Sequence, residues 1–120
     1  TTPVATKAGA EPWSEQRLAE LRAAGKPVLV NMTAAWCITC LANEKVALST
    51  DTVRDALAAH NVAYLEGDWT RQDEAITRYL QQHGRNGVPL YVLYPPGGAE
   101  PQVLPQLLTA DSVADAIRSM

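Results

Sequence analysis

Apolar residues recur along the chain at two spacings, and the alternation between them predicts an α/β architecture. Leu18 and Leu21 fall on one side of a stretch that Ser14 can cap and Gly25 can stop, which predicts a helix running to about Ala24. Val28, Leu29 and Val30 then form a β-branched, nearly continuous run reaching about Thr33, the pattern of a central strand buried on both faces. From Cys37 to near Leu48 the chain reads as helical, with residues 49–51 as punctuation. Val53, Ala56, Leu57 and His60 mark one face of a further helix that Asn61 closes. Residues 62 to about 68 follow as a second strand. A helical crossover of this length suits parallel pairing of the two strands, so the first half is expected to be βαβ.

The second half changes period again. Thr70 and Asp73 have the spacing of a capping box, and Ile76, Tyr79, Leu80 and His83 line one face of the helix expected after it, with Gly84 as its stop. A loop through Val88 and Pro89 leads into a strand at residues 90–94. The turn Pro95, Pro96, Gly97, Gly98 and a short strand at residues 102–104 predict a hairpin. Thr109 or Asp111 starts a last helix, with Val113, Ala116, Ile117 and Met120 inward. Residues 1–12 lack periodicity and read as a flexible tether with at most a short edge strand, placing the folded domain at residues 13–120.

Composition narrows the class. A chain of 120 residues is long enough for one domain with a real core, and 47% hydrophobic against 19% charged residues is too apolar for disorder. The formal charge of −3, with no basic cluster, argues against a nucleic-acid partner. No apolar stretch approaches the ~18 residues that cross a bilayer. The chain opens on Thr1, which raises the expectation of a segment excised from a longer, membrane-anchored protein.

The only cysteines are Cys37 and Cys40. A loop this short gains little stability from cross-linking, so the pair reads as chemistry rather than reinforcement. Three alternatives stand: a redox pair, an inert buried pair, and half of a zinc site. Zinc needs four ligands, and beyond the cysteines only His60 and His83 offer themselves, far apart and each at a helix end, where a His complements the helix dipole. Neither a metal nor any other cofactor is therefore expected. At the start of a helix Cys37 would meet free backbone N–H groups that favour its thiolate, and Cys40 would lie one turn later on the same side. Cys37, Cys40, Leu41 and Glu44 share one helical face, which is expected to look inward. Glu44 is then either a partly buried carboxyl that exchanges a proton with Cys40 or an ordinary solvated one.

Helix, βαβ, helix, ββ, helix with Trp36-Cys37-Ile38-Thr39-Cys40 after the first confident strand resembles the thioredoxin fold and its W-C-x-x-C site. The resemblance implies a thioredoxin-like α/β domain with a central mixed β-sheet of four to five strands flanked by helices. It implies thiol-disulfide oxidoreduction with Cys37 as nucleophile and Cys40 as resolving thiol, the Cys37–Cys40 disulfide being the only redox group. Val88-Pro89 resembles the family's cis-proline loop, which packs beside the cysteines and pairs with a substrate strand. Trp36 either supports the active-site turn or is core, and Trp69, with Asp68 and Thr70, either borders the site or fills a gap. Thioredoxins commonly place a buried Asp six residues before the first active cysteine; here that residue is Asn31, which can only hydrogen-bond or hold a water.

A narrower resemblance is to the C-terminal periplasmic (gamma) domains of DsbD-type transmembrane thiol:disulfide interchange proteins. It rests on Glu44, four residues after Cys40, on residues 31–37 and 67–70, and on the N-terminal tether. It implies a monomeric, periplasmic reductase domain, tethered to the inner membrane in the full-length protein. Such a domain takes electrons from a membrane-embedded donor and passes them to thioredoxin-like periplasmic acceptors. A free-standing periplasmic oxidase or isomerase and a redox-inert binding module are the competing readings. Ile38 and Thr39 bring no positive charge or His beside the thiol, which favours the reductase.

Overall fold

The computed structural model describes residues 10–120. Strands β1 (Glu11–Pro12), β2 (Val28–Thr33), β3 (Ala63–Asp68), β4 (Leu90–Tyr94) and β5 (Gln102–Val103) form one mixed sheet in the order β1-β3-β2-β4-β5. β3 runs parallel to both β1 and β2, whereas β4 is antiparallel to β2 and to β5. The expected βαβ unit and the hairpin are both present, and the fold class is the one expected. The short strand β1 lies at the end of the segment read as a tether. The tether's residues 1–9 lie outside the described residues.

Period-2 alternation divides the sheet into two cores. On one face Leu29, Tyr64, Tyr91 and Leu93 pack against α3 (Asp51–Ala59) through Val53 and Ala56, and against α5 (Ala110–Arg118) through Val113 and Ile117. On the other, Val28, Val30, Leu65 and Val92 meet Leu21 of α1 (Glu15–Ala23) and Ile76, Tyr79 and Leu80 of α4 (Glu74–Gln82). β2, buried from Val28 to Met32, is the central strand its composition predicts. In α5 the inward face is Val113, Ala114 and Ile117, with Ala116 and Met120 only partly covered.

Two expectations about helices need correction. The stretch after Cys37 is not one α-helix: α2 (Ile38–Asn43) passes into a π turn (Glu44–Leu48) before α3 begins. Ser49 is the cause. Its N–H reaches back five residues to the Glu44 carbonyl at 2.9 Å, and its hydroxyl donates to the same oxygen at 2.7 Å. Nor is Thr70 the cap of α4. Asp73 is, accepting from the N–H groups of Ala75 and Ile76, because the Thr70 hydroxyl is committed to Asp68 and to Ala35 N–H.

Candidate active site

The strand-to-helix junction after β2 carries both cysteines. Cys37 N–H donates to the Ala34 carbonyl at 3.1 Å, a turn that leaves Cys37 as the N-cap of α2 rather than inside its first turn. Cys37 and Cys40 are joined by a disulfide. Cys40 N–H, one of the otherwise unpaired donors of the first turn, points at Cys37 Sγ at 3.2 Å. Cys37 is the more open of the two, 7% exposed against 3% for Cys40. Ala34 and Val88 complete a small apolar cluster around them, and the Val88–Pro89 peptide bond is cis.

Aromatic side chains brace this turn from outside. Trp36 is 52% exposed, so it is not core; its indole N–H donates to the Thr70 carbonyl at 3.0 Å and its ring lies 5.9 Å from that of Trp69. Trp69 is buried, hydrogen-bonded to Thr77 Oγ1, and held by its own N–H on the Thr33 carbonyl at 2.7 Å. The segment after β3 therefore borders the site: Asp68 orients Thr70, and Thr70 holds Ala35 and Trp36.

Beneath the disulfide helix lies a polar layer. Asn31, in β2, is buried and donates from Nδ2 to the Tyr64 hydroxyl at 2.9 Å. Asn43 is buried in α2. It donates from Nδ2 to the Tyr91 hydroxyl (2.9 Å) and the Gln106 carbonyl (2.7 Å), and its Oδ1 accepts from Leu108 N–H at 3.0 Å. Glu44 is half-buried, and its charge reaches both tyrosines. Burial, assisted by Glu44, pushes the Tyr91 hydroxyl up to about 12 and Tyr64 higher still; the hydrogen bonds from the two amides pull each partly back. Glu66, in β3, completes the layer and also acts on Tyr64.

Of the residues expected at the site, Cys37, Cys40 and Val88 are in one cluster, with Pro89 adjoining it. Asn31 and Glu44 are both in the layer below, joined through Tyr64. Leu41 is half-exposed, so the inward side of α2 is Cys40 and Asn43, not the face that runs through Leu41. Asn43, Tyr64, Tyr91 and Glu66 were missed. Asn43 alone had a local signal, standing one helical turn after Cys40.

His60 and His83 stand at the C-caps of α3 and α4 as expected. The His83 ring lies 4.7 Å from that of Tyr79, tilted against it, and burial together with Arg85 lowers its pKa. No group of three or more potential metal ligands occurs among the described residues. Nor is any of their helices long and apolar enough to cross a membrane.

A mixed sheet with a Cys-x-x-Cys disulfide at the start of the helix after its central strand, and a cis-proline loop against it, defines a thioredoxin-type redox domain. Residues 9–96 match the model of the thioredoxin-like family, and the chain belongs to that family. It is similar to thiol:disulfide interchange protein DsbD 1 of Pseudomonas aeruginosa, 39% identical over 83 residues, which cover 69% of this chain and 14% of that protein. DsbD of Pseudoalteromonas atlantica is 30% identical over 86 residues, covering 72% and 14%. The matched part is thus a small fraction of those relatives' length. Among solved structures, the oxidised C-terminal domain of Neisseria meningitidis DsbD superposes with a TM-score of 0.72 at 20% identity, covering 92% of this chain and 97% of that one. A Thermus thermophilus thioredoxin gives 0.71 at 20% identity, covering 92% and 86%.

Proposed function

We propose that this chain is the electron-relaying reductase domain of a DsbD-like protein, working in the periplasm beside a membrane-embedded donor and passing electrons to protein disulfides. The domain is taken to begin near residue 13, with the residues before it as a tether whose end adds the edge strand β1 to the sheet. The observation that carries the reading is the Cys37–Cys40 disulfide with Cys40 N–H aimed at Cys37 Sγ. Once the pair is reduced, that donor and the start of the helix stabilise a Cys37 thiolate.

The thiolate attacks one sulfur of a partner disulfide. A Cys37–partner bond forms, the partner's own bond breaks, and its second sulfur leaves as a thiolate. Cys40 then loses its proton and attacks Cys37 Sγ, which closes the intramolecular disulfide and expels the partner's remaining sulfur. Two electrons have passed to the partner. Glu44, half-buried in the layer below, takes the proton that Cys40 sheds. Trp36 and Ile38, the latter 82% exposed, supply an apolar rim for a docking protein. Val88 and Pro89 offer backbone beside the cysteines for pairing with an extended partner segment.

The test is turnover of a model protein disulfide by the reduced domain. Cys37→Ser is expected to abolish it, and Cys40→Ser to accumulate a covalent mixed disulfide. Equal trapping by the two variants would reverse the assigned roles, and no thiol-dependent reduction by the unmodified domain would favour the inert module.

A further inference from the structure

Of the four asparagines, Asn86 alone is followed by glycine, and the pair sits in the loop that leads into Val88 and Pro89. An asparagine amide is thermolabile, because the backbone nitrogen of the next residue can attack its Cγ. The attack needs an exposed side chain, a nitrogen not held in a hydrogen bond, and room to approach. Asn86 is exposed and belongs to no helix or strand. Among the described residues, neither its amide nor Gly87 N–H makes a hydrogen bond. Gly87 has no side chain to obstruct the approach. The other asparagines lack these features. Asn31 and Asn43 are buried and give their amides to Tyr64 and Tyr91. Asn61 is exposed, but the branched Val62 follows it, and Val62 N–H is held by the Leu57 carbonyl at 2.9 Å.

The neighbours of Asn86 make a change there consequential. Arg85 donates to the Pro89 carbonyl at 3.5 Å, a long bond that spans the loop. Val88 packs against Cys37 and Cys40. A carboxylate at residue 86 would offer the Arg85 guanidinium a charged acceptor in place of a neutral one, and the bond to a charged acceptor is the stronger. An extra backbone atom before Gly87 would displace Val88 relative to the disulfide.

We propose that Asn86-Gly87 is a site of spontaneous deamidation, and that the conversion withdraws the loop from protein partners. Gly87 N bonds to Asn86 Cγ and closes a cyclic imide. The Cγ–Nδ2 bond breaks, and that nitrogen departs as ammonia with the proton from Gly87 N–H. Water then opens the ring. Attack at Cγ gives aspartate. Attack at the backbone carbonyl carbon of residue 86 gives isoaspartate, in which the main chain runs through Cβ and Cγ and is one atom longer. Nothing is oxidised or reduced, and water is the only co-reactant. Either product adds a negative charge beside Arg85. The Cys37 thiolate is held by Cys40 N–H of α2 and not by this loop, so its own reactivity is kept. What is lost is the backbone that Val88 and Pro89 offer to a partner, and this second half of the proposal rests on the reductase reading.

In the test, the oxidised domain is kept for days in mildly alkaline buffer, and samples are digested and weighed peptide by peptide. The peptide with residue 86 is expected to gain the mass of an amide-to-acid conversion and to become a substrate for an isoaspartate methyltransferase. Peptides with Asn31, Asn43 and Asn61 should not change. Each sample is also reduced and assayed at once on a protein disulfide and on a small aromatic disulfide. The converted form should reduce the protein disulfide about tenfold more slowly, the size of one lost backbone hydrogen bond, and the small disulfide as before. Gly87→Ala crowds the attacking nitrogen, and its methyl group fits, with Trp69 Cζ3 as its nearest neighbour at 3.8 Å. This variant should keep both its mass and its rate. Should it not fold, Asn86→Gln, whose amide closes a larger ring more slowly, replaces it. No acid at residue 86, or equal conversion in the blocked variant, overturns the site. A converted domain as fast on the protein disulfide as the fresh one overturns the consequence. A fresh domain that reduces neither disulfide overturns the reductase reading and the consequence with it, while the site stands or falls on the masses alone.

Discussion

Asn43 ties the disulfide helix to the loop before α5, and its removal has a calculable cost. Asn43→Ala strands two buried groups, the Tyr91 hydroxyl and Leu108 N–H, besides freeing the Gln106 carbonyl at the surface. Leaving a buried donor or acceptor unpaired costs about 1–3 kcal/mol, so two such groups give about 2–6 kcal/mol, with ~3 the expected figure. Against a total of about 5–15 kcal/mol for a domain, that is a large share. Urea unfolding of the oxidised domain measures it, and the slope should be unchanged while the midpoint falls. In a Tyr91→Phe background the same substitution should cost about 1 kcal/mol less, since one of its bonds is already gone. A loss below about 1 kcal/mol in the unmodified background would refute the reasoning, because it would mean that water or a neighbour replaces the amide at no expense.

Two further outcomes are expected. Glu44→Gln removes a negative charge near the site and should lower the apparent pKa of Cys37 in a thiolate absorbance titration of the reduced domain; an unchanged curve would show that the carboxylate does not act on the thiol. Stability should also fall in alkali. Burial raises Tyr64, Tyr79 and Tyr91, the last to about 12, so between the unfolded value near 10 and that point the folded state holds protons that the unfolded state has lost. Stability is then fully present below about pH 10 and declines as pH rises through 12. A urea midpoint that stays constant from about pH 8 to pH 11 would contradict this.

What was legible in the sequence was whatever one element decides by itself. β2 declared itself by a run of Val and Leu, and the Cys pair by its place after that run; nothing distant enters either judgement. The failures came where two segments compete for one group. Thr70 and Asp73 are both competent caps, and only the folded arrangement, which brings Ala35 N–H to the Thr70 hydroxyl, leaves the helix to Asp73. The helical reading as far as Leu48 assumed an unbroken α register, which holds up to Glu44, whose N–H still reaches the Cys40 carbonyl, and is undone beyond it, where the Ser49 hydroxyl and N–H draw the Glu44 carbonyl into a π turn. Glu66 gave no signal because its place in the layer depends on the pairing of β3 with β2, which sets it opposite Asn31.

The contrast between the thiols and the acids has a physical origin. Cys37 depends on a single N–H at 3.2 Å, a short-range contact that only this backbone turn provides, so the cysteines must occupy fixed positions in the chain. A buried carboxyl acts by charge and by proton affinity, and in a medium poorer in water than bulk solvent those effects extend over several ångströms. It need not stand at a fixed step from the cysteines: Glu44 of the π turn and Glu66 of β3 both act by charge on the Tyr64 hydroxyl in the layer beneath the helix. Spacing from the cysteines finds Glu44 and passes over Glu66, which reaches the layer from another strand.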